Sequence, residues 1–143
     1  MRTNKSRSTW VGPGINIQYP WSQLLVSGEK TVETRGYPLP AKYAGKPLAI
    51  IETPGPTKPR FKARIIGVIT FSHSIQYKTY AEWDADRGRH RVPANDPAFR
   101  FRAGKKKYGW VVKEVTRLKT PVVAPSKRGI VFASACSIPA NFC

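Results

Sequence analysis

Two apolar runs separated by a proline-rich stretch constrain the fold of this chain more than any other feature. The runs cover residues 47–52 and 61–71, and aliphatic side chains dominate both. Apolar runs of this length are typical of buried β-strands. The stretch between them holds Pro54, Pro56 and Pro59. Because proline interrupts both helices and sheet ladders, we expect two strands joined by a loop.

Other short segments also favour strands. Gly67 lies inside the second apolar run and is a candidate β-bulge. Ile15 and Ile17 alternate with polar neighbours, as in a half-buried strand. By composition and alternation, further strands are expected over residues 31–35, 108–118 and 129–133.

The first predicted helix covers residues 20–28. Pro20 suits the first helical turn, and Gly28 suits the position just after a helix end. Trp21, Leu24 and Leu25 recur at helical spacing and predict the buried face.

A second helix is predicted to begin after Thr79 and to end at Gly88. Thr79 and Glu82 have the spacing of a capping box, in which each side chain accepts a hydrogen bond from the other residue's backbone. The resulting order of elements is β-α-β-β-β-α-β-β. It predicts a mainly β, α+β domain: a small closed or half-closed barrel of about five or six strands, flanked by two short helices.

The length of 143 residues fits one domain. Residues 1–13 are polar and basic and are expected to form a flexible N-terminal arm, with a single domain over residues 14–143. No membrane-spanning run and no secretory signal are evident. Cys136 and Cys143 are expected to be free thiols. We therefore expect an intracellular protein, cytoplasmic or, in a eukaryote, nuclear, with no membrane, metal or cofactor.

The charge is the strongest functional signal in the composition. Lys and Arg number 25 against 8 acidic residues, which gives a formal net charge of +17. Solubility of a small domain requires a net charge of only about 2–8. A positive field of this size attracts polyanions, and nucleic acid is the usual partner. An anionic membrane or a ribosomal surface is the alternative.

Eight of these cations lie between residues 87 and 107, which we call the basic segment. They are Arg87, Arg89, Arg91, Arg100, Arg102, Lys105, Lys106 and Lys107. Phe99 and Phe101 alternate with two of the arginines, and Asp96 is the single acid. Cations interleaved with rings suit single-stranded nucleic acid, because cations follow phosphates and rings stack on bases. The alternative is a half-buried strand whose rings face the core.

The run from Gly28 to Arg35 resembles a known family. It contains the pattern G-x-K-x-x-E-x-R, with Gly28, Lys30, Glu33 and Arg35, after a helix that begins Pro-Trp. This resembles the ASCH domain family, relatives of the PUA RNA-binding domains, over roughly residues 14–135. The resemblance implies a PUA-like β-barrel whose cleft handles RNA or a modified nucleoside. The implied cleft residues are Tyr19, Trp21, Lys30, Glu33 and Arg35.

Two interpretations of the motif remain open. In an extended strand, Thr31, Glu33 and Arg35 share one face and Val32 points to the core. The guanidinium of Arg35 suits a carboxylate or a phosphate. With Lys30, these residues would hold an anionic or polar base edge at the barrel mouth. The alternative is a structural ion pair centred on Glu33.

Family members also include ribonucleases and hydrolases of the amide in N4-acetylcytidine. In the small amidohydrolase members, the motif lysine pairs with a threonine nucleophile three residues later and with a distal acid. Here Glu33 stands at the threonine position, so that catalytic set does not carry over directly. A rearranged set would use Lys30, Thr31 and Glu33, with Asp86 as the distal acid by position.

Other nuclease chemistries have weaker support in the sequence. Two-metal catalysis needs clustered carboxylates, and Asp84 and Asp86 are two residues apart in a predicted helix, so they face different directions. His73 or His90 would serve a metal-free nuclease as general base, although lone histidines are more often structural. The sequence therefore predicts a protein that binds RNA or another single-stranded nucleic acid. The alternatives are a hydrolase that acts on RNA or a modified nucleoside in the same cleft, and a structural partner of a larger assembly.

Overall fold

The computed structural model describes residues 9–56, 58–124 and 131–139. Its strands are β1 (Thr9–Gln18), β2 (Val32–Arg35), β3 (Pro47–Thr53), β4 (Arg64–Tyr77), β5 (Lys107–Val123) and β6 (Phe132–Pro139). The helices are α1 (Trp21–Val26), α2 (Tyr80–Ala85) and α3 (Arg87–His90), with a 3₁₀ turn at Ala41–Tyr43. The predicted order of elements is therefore confirmed, with the second helix divided in two.

All six strands join one mixed sheet in the order β2-β5-β4-β3-β1-β6. β1 and β3 are parallel, and every other neighbouring pair is antiparallel. Within the described residues, the pairing stops at β2 and β6, so the sheet is open there. The mainly β, α+β class is confirmed, with six strands as expected, but within the described residues the sheet does not close into a barrel.

The largest apolar cluster is covered by α1 and lies against the middle of the sheet. It includes Ile15, Ile50, Ile69, Phe71 and Trp110, all fully buried. A second cluster forms around β6 and a third beneath α2 and α3. Burial of these aliphatic and aromatic side chains is the main stabilising term of the fold.

At Gly67 the pairing of β4 is irregular with both neighbouring strands, β3 and β5, as expected for the predicted β-bulge. The register shifts between Ile65 and Gly67 against β5 and between the matching residues of β3. A Cβ at this position would lie 2.6 Å from the carbonyl oxygen of Thr116 and 2.7 Å from Val26. Glycine is therefore needed here for the close approach of β5 and α1.

The N-terminal arm predicted over residues 1–13 is too long, because β1 already includes residues 9–13. β1 begins at Thr9, because the backbone from Thr9 to Gly12 pairs with β6. Residues 1–8 lie outside the described residues. The final strand, predicted to end at Ala133, is Phe132–Pro139 and continues because its residues pair with β1 as far as Thr9. Gly129 and Cys143 are also outside the described part.

The second apolar run enters the sheet later than predicted and continues further. β4 begins at Arg64 and extends to Tyr77, because the long strand β5 remains paired with it as far as Lys107. Phe61 therefore precedes the strand and stands in the loop. Its position matters for the surface described below.

The predicted buried face of α1 is only partly correct. Leu25 is buried, but Trp21 and Leu24 are half-buried, and Ser22 and Val26 complete the buried face. The helix is rotated because the hydroxyl of Ser22 donates a 2.7 Å hydrogen bond to a buried carboxylate of the sheet.

Half of the predicted capping box is present at the start of α2, because the Glu82 side chain accepts from Lys78 and not from Thr79. The backbone N–H of Glu82 donates to the hydroxyl of Thr79 over 3.1 Å, while the Glu82 carboxylate accepts from the N–H of Lys78. The predicted end at Gly88 is wrong, because α3 continues to His90. It ends at Arg91, which has a left-handed φ of 63°.

Two further findings bear on the expectations of location and cysteine chemistry. No helix in the described ranges has the length and apolarity needed to cross a membrane. Cys136 is buried with a free thiol, and burial raises its pKa.

Candidate functional site

The turn from α1 to β2 positions the motif side chains. Gly28 has a φ of 86°, the left-handed conformation that glycine adopts most readily after a helix end. The backbone N–H of Lys30 then donates to the carbonyl of Leu24, and that of Thr31 donates to the carbonyl of Arg89. These bonds tie the start of β2 to α1 on one side and to α3 on the other.

Lys30 is almost completely buried, with 1% of its surface exposed. Its ammonium group donates to the carbonyl of His90, lies 5.2 Å from the Trp21 ring centroid and is 3.9 Å from Glu33 Oε1. Burial lowers the pKa of Lys30 to about 8, a shift that Glu33 opposes and that nearby Arg35 and Lys107 increase. The side chain is therefore a buried amine that changes between its charged and neutral forms near pH 8.

Glu33 lies between Lys30 and Arg35. Its Oε2 atom accepts from Arg35 Nε over 2.9 Å and is also 2.9 Å from Arg35 Nη2. Arg35 donates a second bond to the carbonyl of Asn16 over 3.1 Å and stands over the Trp110 ring at 5.4 Å. The structural ion pair centred on Glu33, which is the alternative interpretation of the motif, is therefore present, and Arg35 also ties β2 to β1.

Aromatic side chains and a third cation border this group. The Trp21 ring meets the Phe99 ring edge-on, with centroids 5.8 Å apart. The ammonium group of Lys107 donates to the carbonyl of Phe99 over 2.8 Å. Burial lowers the pKa of Lys107, and Glu33 is among the groups that raise it. We call Trp21, Lys30, Glu33, Arg35 and Lys107 the motif site; it holds three cations and one carboxylate.

Much of the basic segment is used within the protein. Arg89 binds Asp86 through two bonds of 2.6 and 2.9 Å, and Arg87 lies 3.7 Å from Asp84. The guanidinium group of Arg91 donates to the carbonyl of Gly88 in α3, and those of Arg100 and Arg102 donate to backbone carbonyls of their own loop. Lys105 and Lys106 are exposed at the start of β5.

Phe99 and Phe101 are half-buried in a segment that forms no strand. Both pack on the cluster of Tyr77, Trp83 and Val92 beneath α2 and α3. Of the two interpretations of the alternating segment, the structure therefore supports rings that face the core.

The described side-chain contacts join only two of the four residues of the predicted catalytic set. Lys30 and Glu33 are neighbours, but Thr31 is exposed. Asp86 accepts hydrogen bonds from the Tyr77 hydroxyl and from Arg89. Burial favours protonation of Asp86, but these bonds outweigh it and hold its pKa below the usual value. The described contacts of Asp86 include neither Lys30 nor Glu33.

The two histidines differ sharply in environment. His90 is fully buried, its Nε2 lies 2.7 Å from the carbonyl of Trp83, and its Nδ1 accepts from the N–H of Val92. Because both ring nitrogens are bonded, His90 has the structural role that is more usual for a lone histidine. His73 is exposed and lies 2.7 Å from the hydroxyl of Ser72. In the described ranges, no three His, Cys, Asp or Glu side chains come together as metal ligands.

Sequence reasoning missed a second polar centre beneath α1. The carboxylate of Glu52 is fully buried and accepts from Ser22 Oγ and Gln23 Nε2, each over 2.7 Å, and from Arg64 Nε over 2.8 Å. The available signal was an acid at the end of an otherwise apolar strand, since a carboxylate in that position requires donors. This centre fixes α1, and with it Trp21, on the sheet.

Comparisons with known proteins identify the fold. The crystal structure of ASCH from Zymomonas mobilis is 18% identical to this chain, covers 85% of both chains and gives a TM-score of 0.65. Two mutant proteins of the same ASCH give TM-scores of 0.64 and 0.65 at 19% and 18% identity, with 85% of this chain covered. Neither a protein-family model nor a curated protein matches the sequence. The chain therefore has the ASCH fold, as its Gly28–Arg35 motif predicted.

Proposed function

We propose that this protein binds single-stranded nucleic acid, RNA in particular, through the motif site. The observation that carries the proposal is the charge of that site beside an aromatic edge. Three cations, Lys30, Arg35 and Lys107, surround the single carboxylate of Glu33 next to the half-buried ring of Trp21. A net positive site of this kind complements a phosphate, and an adjacent ring complements a base.

The exposed and the buried residues of the site would have different roles in binding. Arg35 has 18% of its side chain exposed, and Trp21 and Lys107 are also half-buried. These three, with Tyr19 at 37% exposed, would contact the strand. Lys30 and Glu33 are too deeply buried for broad contact and would instead fix the orientation of Trp21 and Arg35. RNA is preferred to DNA because the motif resembles that of a family related to PUA RNA-binding domains.

The exposed cations near the motif site would hold the phosphate backbone. Lys105 and Lys106 directly precede β5, whose residue Tyr108 pairs with Arg35. Contacts of this kind add affinity without sequence preference. They also make binding depend on salt, with about 0.7 added to the log–log slope for each phosphate contact on a single strand.

The proposal is tested by titrating a fluorescent 12-nucleotide RNA at several salt concentrations. The test variant is Lys105→Gln with Lys106→Gln. The control, Lys42→Gln with Lys46→Gln, removes the same charge from exposed positions that precede β3. We expect the test variant to bind more weakly, with a salt slope smaller by about 1.4, and the control to bind like the wild type.

Equal losses in the two variants would mean that only net charge matters, and absence of wild-type binding would overturn the proposal. Competition by DNA of the same sequence measures the preference for RNA. Equal competition by DNA would remove the RNA preference and leave the strand-binding claim.

One observation supports the hydrolase as a second candidate. Lys30 and Glu33 form a buried pair 3.9 Å apart, and the pKa of Lys30 is about 8. A lysine near neutrality can accept a proton from a substrate or a water molecule. Gel analysis of the titrated RNA, and chromatography of N4-acetylcytidine after incubation, test this activity. Turnover by the wild type that Lys30→Met abolishes would favour the hydrolase.

A further inference from the structure

A second surface of cations and rings includes Tyr19, which precedes Pro20 in the chain, whereas Trp21 of the motif site follows Pro20. The chain from Thr53 to Ala81 contains no acidic residue. Within it, residues 58–64 carry four cations and Phe61 in the loop that leads into β4. The four cations are Lys58, Arg60, Lys62 and Arg64.

The rings of this surface are arranged around Tyr19. The Tyr19 ring meets the Phe61 ring edge-on, with centroids 6.3 Å apart. The guanidinium carbon of Arg64 lies 4.4 Å from the Phe61 ring centroid, and 41% of the Arg64 side chain is exposed. Tyr19 and Phe61 thus present aromatic surface with a cation above it, an arrangement that suits a stacked base and its phosphate. We call Tyr19, Arg60, Phe61, Lys62 and Arg64 the loop surface.

The one acid beside the loop surface is hidden from solvent. Glu52 binds Arg64 from below, and its carboxylate is 0% exposed. An approaching polyanion therefore meets the cations without a competing exposed carboxylate from residues 53–81. Arg117 adds a further cation, 3.5 Å from Gln23 on the neighbouring helix.

The two surfaces are continuous along the chain. Tyr19 and Trp21 are separated only by Pro20, so their Cα atoms are at most about 7 Å apart. The backbone of Tyr19 is fixed by its N–H bond to the carbonyl of Thr53, and Arg35 of the motif site is bonded to Asn16 on the same strand. A strand that leaves the motif site beside Trp21 would therefore have Tyr19, and the Phe61 ring in contact with it, within reach of its next nucleotides.

We propose that a single-stranded RNA bound at the motif site continues across Tyr19 onto the loop surface. This inference rests on the proposed function and adds a second contact region, and with it a minimum length for tight binding. Charge and rings together favour RNA here, because a membrane surface offers phosphates but no bases for the rings.

The test compares a 4-nucleotide and a 12-nucleotide RNA on the full chain. The variants are Phe61→Leu, which removes the ring but keeps an apolar side chain, and Arg60→Gln with Lys62→Gln, which removes two charges. Arg64 is left intact because it is bonded to the buried Glu52. The control is again Lys42→Gln with Lys46→Gln, at the other end of β3, about 20 Å from Glu52.

We expect wild type to bind the 12-mer more tightly than the 4-mer. Phe61→Leu should weaken 12-mer binding about 5-fold or more, as loss of one stacked base does. The double charge variant should lower the 12-mer salt slope by about 1.4. Both variants should weaken binding of the 4-mer much less than binding of the 12-mer, and the control should change neither. If Phe61→Leu does not fold, the charge variant alone decides.

Failure of this inference is distinct from failure of the proposed function. Wild-type binding of the 12-mer that both loop variants retain in full would overturn the inference and leave the motif site as the binder. No binding of either RNA by wild type would overturn both. If the charge variant instead loses binding to anionic lipid vesicles while 12-mer binding is unchanged, the loop surface serves a membrane, which also overturns the inference.

Discussion

At the scale of single residues, Lys30 is the most unusual group in the protein. Burial lowers its pKa from 10.5 to about 8, so the unfolded chain holds the proton more tightly than the folded one. The charged amine therefore opposes folding below about pH 8, and this cost disappears as the pH rises past 10.5.

Lys30→Met removes this titration while keeping a side chain of similar length. The free energy of unfolding of wild type relative to Lys30→Met should rise by up to about 3 kcal/mol between pH 7 and pH 10.5. Urea unfolding of both proteins across this range measures it, and the subtraction cancels the titration of other groups. A difference that does not change with pH would show that the amine has an ordinary pKa.

Asp86 is predicted to be a structural residue. Hydrogen bonds from Arg89 and Tyr77 hold its pKa below the usual value despite burial. Its stabilising effect is therefore present above the unfolded pKa of 3.8 and is lost as the pH falls through the folded value. Asp86→Asn should lower the free energy of unfolding at pH 7 by about 1.5–3 kcal/mol, and the effect should vanish in strong acid.

The control for this prediction is Asp84→Asn, two residues earlier. Its carboxylate is 3.7 Å from Arg87 and more exposed, so we expect a change within about 0.5 kcal/mol. RNA binding should be unchanged in both variants. Loss of hydrolysis in Asp86→Asn with stability intact would instead give Asp86 the catalytic role.

At the scale of elements, α1 is fixed by one buried carboxylate. Ser22 and Gln23 both donate to Glu52, and removal of a donor leaves a buried charge partly unsatisfied. Ser22→Ala should lower the free energy of unfolding by about 1–3 kcal/mol. Ser27→Ala, at the exposed end of the same helix, should change it by no more than about 0.5 kcal/mol. Equal effects in chemical denaturation would contradict this account of how the helix is held.

The sequence predicts the elements well wherever local patterning decides them. The side-chain cap at Thr79 and the glycine end of α1 depend on adjacent residues, and both are found. Boundaries fixed by a distant partner are less predictable. β1 extends back to Thr9 because β6 pairs with it. α1 is rotated because Ser22 donates a hydrogen bond to Glu52, and these two residues are 30 positions apart in the sequence.

At the scale of the whole molecule, the motif predicted the fold, and charge predicted the class of partner that we propose. The contact between Glu33 and Arg35 follows from their spacing on a strand. The burial of Lys30, its bond to the carbonyl of His90 and the loop surface around Phe61 do not, because each depends on segments far apart in sequence. The alternation of arginines and phenylalanines alone also did not distinguish rings available to a base from rings that pack on the core. Phe99 and Phe101 are of the second kind.

The central claim is that single-stranded RNA binds at the motif site, and chemical-shift mapping tests it most directly. The backbone amides of the ¹⁵N-labelled protein would be followed while an unlabelled 12-nucleotide RNA is added. We predict saturable shifts at Trp21, Arg35 and Lys107, and none at Lys42 or Lys46. Absence of shifts, or shifts confined to residues away from the motif site, would contradict the account.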